Sequence, residues 1–216
     1  MNPEEKTVYL TFTGDSLFKG IDEVLKSLHK EGTKGSFFLT GNCIRLHEDN
    51  VREIIRQGHI VAPHSDKHLL YADWNDRNKT LVSKDSVMQD VLDNLTEMQR
   101  IGIDASKVCY FMPPYEYSNM ETNNWVKNLG LEVVSFTPGT LTNADYTIPS
   151  MKSYRSSEEI YKHLERFERE SEQGLNGAIL LIHPGVHPER PDPFYKKLRQ
   201  IIKLLRKRGY TFGVLQ

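Results

Sequence analysis

Ala178-Ile179-Leu180-Leu181-Ile182-His183-Pro184-Gly185 is the stretch on which the fold turns. Every position from Ala178 to Ile182 is apolar, with no polar residue alternating between them. A strand of that kind is buried on both faces, as in a parallel sheet covered by helices. The run ends abruptly in a histidine and a Pro-Gly turn, so a chemically useful side chain stands where the strand stops.

The pattern repeats along the chain. Residues 8–12, 36–40, 59–62, 108–112, 132–136 and 210–215 read as further short strands. Amphipathic segments separate them. Residues 18–30 carry Ile21, Val24, Leu25 and Leu28 at helical spacing. Residues 49–57 end at Gly58, a left-handed cap, and residues 119–129 end at Gly130. Residues 84–100 carry an apolar stripe of Val87, Val91, Leu92, Leu95 and Met98, closed by Gly102. Residues 156–172 open with Ser156-Ser157-Glu158-Glu159, which resembles a capping box, and residues 192–208 have Pro193 in the first turn. Strands alternating with helices predict parallel βαβ units in an α/β domain covering residues 1–216. An open doubly wound sheet and a closed barrel both fit. In either, functional groups collect just after the strands.

The 216 residues are 38% hydrophobic and 26% charged, with a formal net charge of -1. That is the balance of a globular chain, with no basic surplus for nucleic acid or an anionic membrane. A nearly neutral surface suits an uncharged partner such as a sugar. No apolar run approaches the ~20 residues of a bilayer span. The opening MNPEEKTVYL has no basic region followed by an apolar stretch, so no signal peptide is expected within it. The compartment is left open. Cys43 and Cys109 form no CxxC pattern, and Cys109, within an apolar run, is expected to be a buried free thiol.

The residues after the strands are the ones to suspect. They are Thr13-Gly14-Asp15, Pro63-His64-Ser65-Asp66-Lys67-His68, Met112-Pro113-Pro114-Tyr115-Glu116 and His183-Pro184-Gly185. His64 and His68 are four positions apart, a spacing that on a helical turn puts both rings on one side of the chain, where they can share one ion. Imidazole is a good ligand for zinc and similar divalent ions. Asp15, at the tip of the first strand, is the candidate third ligand. Two histidines and a carboxylate leave room for water, as a catalytic rather than a structural metal site does. The remaining histidines, His29, His47, His59, His163 and His187, read as solvated or structural. Tyr71, Trp74, Tyr115, Tyr117 and Tyr146 are loop aromatics able to stack on sugar rings.

These motifs resemble the NodB-like polysaccharide deacetylases, the fourth carbohydrate esterase family, in the family's order over nearly the whole chain. Thr11-Phe12-Thr13-Gly14-Asp15 stands where the family has Thr-Phe-Asp-Asp-Gly. His64-Ser65-x-x-His68 matches the second motif fully. Met112-Pro113-Pro114-Tyr115 keeps the third except its arginine, Asp145-Tyr146 is the nearest match to the fourth, and Leu181-Ile182-His183 matches the fifth. The resemblance implies a deformed (β/α)7 barrel and hydrolysis of an N- or O-acetyl group on a sugar polymer such as peptidoglycan or a chitin-like glycan. It implies zinc or a similar ion on His64, His68 and an aspartate. It further implies the backbone N–H of Tyr115 as an oxyanion donor, His183 as general acid, and Leu181 lining the acetyl pocket.

Two departures stand out. The family's general base and one of its metal ligands fall at Thr13 and Gly14, and its motif-three arginine falls at Met112. An arginine left without its carboxylate would be a buried unpaired charge, costing roughly 3–5 kcal/mol, so the pair is expected to have been lost together. Asp15 is expected to ligate the metal, with Gly14 freeing the backbone to turn it inward. Asp15, Asp66 or Glu116 is then left to act as base. The competing expectation is a carbohydrate-binding descendant of the fold that has lost catalysis.

Overall fold

The computed structural model describes residues 6–215. In chain order its regular elements are β1 (Thr7–Gly14), α1 (Ile21–Lys30), β2 (Ser36–Leu39), α2 (Gly41–Leu46), α3 (Glu48–Arg56), β3 (Ile60–Pro63), α4 (Lys84–Arg100), β4 (Tyr110–Phe111), α5 (Met120–Lys127), β5 (Glu132–Val133), α6 (Ser157–Glu170), β6 (Ile179–Ile182), α7 (Leu198–Lys207) and β7 (Thr211–Gly213). Every strand pairing is parallel. A continuous path runs β3-β2-β1-β6, β7 pairs with the first residues of β1, and β4 with β5 makes a separate ribbon.

Isolated hydrogen bonds bridge the gaps. Met112 N–H donates to the Pro63 carbonyl at 3.3 Å, tying the end of β4 to the end of β3. Beyond β5, Thr137 N–H donates to Ile179 O at 2.9 Å, and its hydroxyl oxygen accepts from Ile179 N–H at 2.9 Å. The sheet thus curls round in the order β1-β2-β3-β4-β5-β6, the deformed (β/α)7 barrel expected.

The unbroken apolar runs divide their side chains between two layers. Leu180 and Ile182 pack outward with Val24, Leu28, Ile201 and Leu205 of α1 and α7. Leu181, between them, points into the barrel and packs with Phe38, Ala62 and Met112. Phe37 and Phe38 on β2 divide in the same way. Each such buried side chain contributes ~1.5–3 kcal/mol from apolar burial. On β1, Val8, Leu10 and Phe12 join the outer layer, so strand alternation sends Thr11 and Thr13 to the barrel side. The expected capping box is present, with Ser156 accepting from Glu159 N–H and the Glu159 side chain accepting from Ser156 N–H.

Four local expectations are corrected. Residues 41–46 form a helix, α2, which the pattern did not announce; it is capped by the Thr40 hydroxyl, which accepts from Cys43 N–H at 2.9 Å. Cys109 is exposed, because β4 pairs only Tyr110 and Phe111 and leaves Cys109 outside the strand; Cys43 is the buried thiol, and both are free. Leu92 is exposed, because the buried arc of α4 is narrower than the stripe and centres on Val87, Val91, Asn94 and Met98. Tyr71 is buried and donates its hydroxyl to Asp90 Oδ2 at 3.2 Å, so it is unavailable for stacking on a sugar. Among the described residues no helix is long and apolar enough to cross a membrane.

Candidate active site

The strand tips meet at one rim. A pocket of about 480 Å³ opens there, lined among others by Thr13, Asp15, His64, His68, Trp74, Tyr115, Glu116, Tyr146 and His183. Most residues suspected from the sequence are therefore brought together, although they come from widely separated parts of the chain.

His64 and His68 face each other, with their Nε2 atoms 3.3 Å apart. The reason differs from the one the spacing suggested. The segment is a loop, not a helical turn, and positive φ at Ser65 (69°) and His68 (57°) folds it back on itself. Ser65 Oγ accepts from His68 N–H at 3.0 Å and holds the bend. His64 Nδ1 donates to the Met112 carbonyl at 2.7 Å, so its Nε2 presents a lone pair to the pocket. Burial, and then the neighbouring His68, hold His64 well below its ordinary pKa. Burial lowers His68 too, with Asp15 opposing. Both rings are thus held in the neutral form that binds metals.

This geometry fits a divalent ion. Two nitrogens bonded to one tetrahedral ion at ~2.0–2.1 Å lie about 3.3 Å apart. Asp15 is beside them in the pocket, its Oδ1 accepting from the Thr40 hydroxyl at 2.8 Å. Among the described residues no three His, Cys, Asp or Glu side chains already close on a single point.

Gly14 serves space rather than flexibility. Its φ is not positive, and a Cβ there would meet Phe18 Cε2 at 2.6 Å, Leu39 Cδ2 at 2.9 Å and Cys43 Sγ at 3.0 Å. A side chain at position 14 would thus start into the packed layer of Phe18, Leu39 and Cys43, while Thr13 and Asp15 on either side line the pocket.

His183 ends β6 beside a carboxylate that was not singled out as a site residue. Asp145 is fully buried; its Oδ1 lies 2.6 Å from His183 Nδ1, and its Oδ2 accepts the His183 backbone N–H at 2.8 Å. Burial opposes charge on His183, but the charge and hydrogen bond of Asp145, helped by Glu116, raise its pKa to about 9. The Asp145 carboxylate thus favours the imidazolium form of the ring. Asp145 comes from an irregular loop whose shape Arg190 fixes by donating to Thr147 O at 2.7 Å and Arg155 O at 3.0 Å.

Glu116 sits between the two histidine groups, with Oε1 3.8 Å from His64 Nε2 and Oε2 4.0 Å from His183 Nε2. Burial raises its pKa, while the neighbouring His183 pulls it back. Asp66 does not line this pocket; it is held by Arg45 at 2.7 and 3.2 Å. Leu181 lies inside the barrel, and Phe136, which packs on its cluster, presents the apolar wall to the pocket. At the rim Trp74 lies against Tyr117, ring centroids 4.6 Å apart, and Tyr146 stands over His183 at 6.3 Å.

A curled parallel barrel with this rim defines a deacetylase-type α/β fold, and the comparisons agree. The polysaccharide deacetylase family profile matches residues 1–134, and the chain belongs to that family. It is 28% identical over 215 residues to the peptidoglycan-N-acetylmuramic acid deacetylase PdaA of Bacillus subtilis, covering 98% of this chain and 70% of that protein. An uncharacterised 30.6 kDa protein of Geobacillus stearothermophilus is 25% identical, over 99% of this chain and 71% of the relative. Among solved structures, BA3943 of Bacillus anthracis, described as a family 4 carbohydrate esterase pseudoenzyme, shares the fold with a TM-score of 0.75 at 20% identity, over 99% of this chain and 65% of that one. The chain thus spans a little under two thirds of that structure. The peptidoglycan deacetylase PdaC of Bacillus subtilis aligns with a TM-score of 0.72 at 20% identity, over all of this chain and 90% of that one.

Proposed function

We propose that this chain is a metal-dependent deacetylase that hydrolyses N-linked or O-linked acetyl groups on a sugar polymer such as peptidoglycan or a chitin-like glycan. The observation that carries this reading is the convergence of the His64 and His68 Nε2 atoms, 3.3 Å apart, in the same pocket as His183, whose Nδ1 is held by Asp145. His64 and His68, with Asp15 as third ligand, would hold the ion, zinc above others. Such an ion would polarise the acetyl carbonyl oxygen and activate a water.

The chain's own groups supply the rest. The Tyr115 N–H points at the site, 3.4 Å from His68 Nε2. From there it can donate to the oxyanion as the carbonyl becomes tetrahedral. His183, kept protonated by Asp145, donates its Nε2 proton to the departing amine. Phe136, backed by Leu181, faces the acetyl methyl, and Trp74 and Tyr146 flank the sugar.

A second reading has one observation in its favour. Thr13 carries no carboxylate where the family motif has one, as befits a glycan-binding protein without turnover. The likeness to the BA3943 pseudoenzyme is compatible with that reading. Measurement of acetate release from acetylated glycans and a chromogenic acetyl ester decides between them. Release that chelator abolishes and zinc or cobalt restores supports the enzyme. Glycan binding without release by metal-loaded protein overturns it.

A further inference from the structure

Resting on that deacetylase reading, we propose that Glu116 is the general base, delivered from the loop after β4 rather than from the tip of β1.

The pocket offers few carboxylates. Asp145 spends both oxygens on His183. Asp15 lies on the Thr40 side, accepting that hydroxyl. Among the described residues Glu116 alone bridges the metal-type histidines and the acid, with one oxygen 3.8 Å from His64 Nε2 and the other 4.0 Å from His183 Nε2. Those separations are too long for direct hydrogen bonds, and they suit a water held between the groups.

The carboxylate is also costly where it stands. Its side chain is 11% exposed, and among the described residues it has no Lys or Arg partner. Its nearest cation is the His183 imidazole, 4.0 Å away and not hydrogen-bonded to it, so its burial is only partly offset and costs the fold stability. The backbone beneath it is strained as well. Tyr115 and Glu116 are consecutive non-glycine residues at φ 59° and 51°, a left-handed conformation that L residues disfavour. That double turn brings the Glu116 carboxylate into the pocket that Tyr115 also lines. Across the floor, Thr13 lines the same pocket as Glu116, so a carboxylate at position 13 would enter the same space.

In the step, Glu116 takes a proton from water as the water oxygen bonds to the acetyl carbon and the carbonyl electron pair moves onto its oxygen. When that pair returns, the C–N bond breaks. Its electrons leave with the nitrogen, which takes the proton of His183. Acetate and a free amine result, and solvent resets both side chains.

The test compares wild type, Glu116→Gln and the double variant Thr13→Asp/Glu116→Gln, measuring acetate release, bound zinc and thermal unfolding for each. Glu116→Gln is expected to fold and to keep its zinc while losing roughly 10²–10⁴-fold in kcat. The double variant is expected to regain at least about tenfold of that loss. Activity in Glu116→Gln within about threefold of wild type overturns the proposal. So does loss of zinc together with activity, which would make Glu116 a ligand. Wild type inactive with zinc bound is a different failure: it overturns the deacetylase reading, and this proposal with it.

Discussion

His183 Nδ1 lies 2.6 Å from Asp145 Oδ1, and the other oxygen of that carboxylate accepts the His183 backbone N–H at 2.8 Å. One buried aspartate thus fixes the tautomer, the ring orientation and the charge of the histidine. Replacing Asp145 by Asn keeps the shape but removes the charge that outweighs burial. In metal-free protein the pKa of the His183 imidazole, which Asp145 pushes up to about 9, is expected to move to lower pH, as followed by NMR. Acetate release should fall by roughly 10²–10⁴-fold, with the alkaline limb of its pH profile displaced downward. An unmoved limb would show that Asp145 only supports the loop.

The same pair makes stability depend on pH. A folded pKa of about 9 against an ordinary 6.5 means that the folded chain holds the His183 proton more tightly than the unfolded chain. Its contribution is complete below 6.5 and is lost as pH rises through about 9. His59 has the opposite sign. Burial lowers it to about 4, so its contribution is lost as pH falls from 6.5 through that value. Denaturant unfolding of metal-free wild type, Asp145→Asn and His59→Gln checks both. The difference between wild type and Asp145→Asn should shrink above pH 6.5, and that between wild type and His59→Gln should shrink below it.

Much of the fold was legible because its cause is local. Runs such as 178–182 have no polar position, and only strands covered on both faces bury them. His64, His68 and His183 were legible for a related reason: each follows such a run. Two carboxylates of the proposed site were not. Asp145 belongs to a loop without periodicity, and its weak match to the fourth motif did not reveal that it ends beneath His183. Glu116 was one of three acids able to act as base. Its aim depends on two successive left-handed residues, Tyr115 and Glu116, neither of them glycine, so no residue type marks the turn. The helical reading of the His64–His68 spacing reached the right pair by the wrong route, since a bent loop converges rings as well as a helix does.

Metal binding should be measurable apart from catalysis. A ligand that binds only the folded state stabilises it by about 4 kcal/mol when its free concentration is roughly 1,000-fold above Kd. Zinc should therefore raise the melting temperature of wild type, and chelator should reverse the rise. His64→Ala and His68→Ala should abolish it, as should Asp15→Ala if Asp15 completes the site. A zinc-induced rise that survives in both histidine variants would place the ion elsewhere.

Gly14→Ala tests why position 14 has no side chain. The added methyl would meet Phe18, Leu39 and Cys43 at 2.6 to 3.0 Å. Overpacking of this kind costs about 1–3 kcal/mol, visible as a lower denaturation midpoint. The strain falls next to Asp15, so zinc affinity should weaken in the same variant. Unchanged stability would mean that the helix layer yields more easily than its packing suggests.

The aromatic rim makes a claim about substrate size. Trp74 rests against Tyr117 at 4.6 Å, and Tyr117 is itself fixed, with Arg77 over its ring at 4.8 Å and its hydroxyl donating to Asp73 O at 3.1 Å. Trp74 remains 57% exposed on this support, so its face is presented to the pocket mouth without being buried by the protein. A sugar ring stacked there gains contact without needing the platform to reorganise. Trp74→Ala should therefore raise KM for an acetylated oligosaccharide about tenfold, equivalent to ~1.4 kcal/mol, with kcat little changed. A small chromogenic acetyl ester, too short to reach the rim, should show no difference. Equal losses on both substrates would mean that Trp74 supports Tyr115, whose ring lies 5.6 Å away, rather than the glycan.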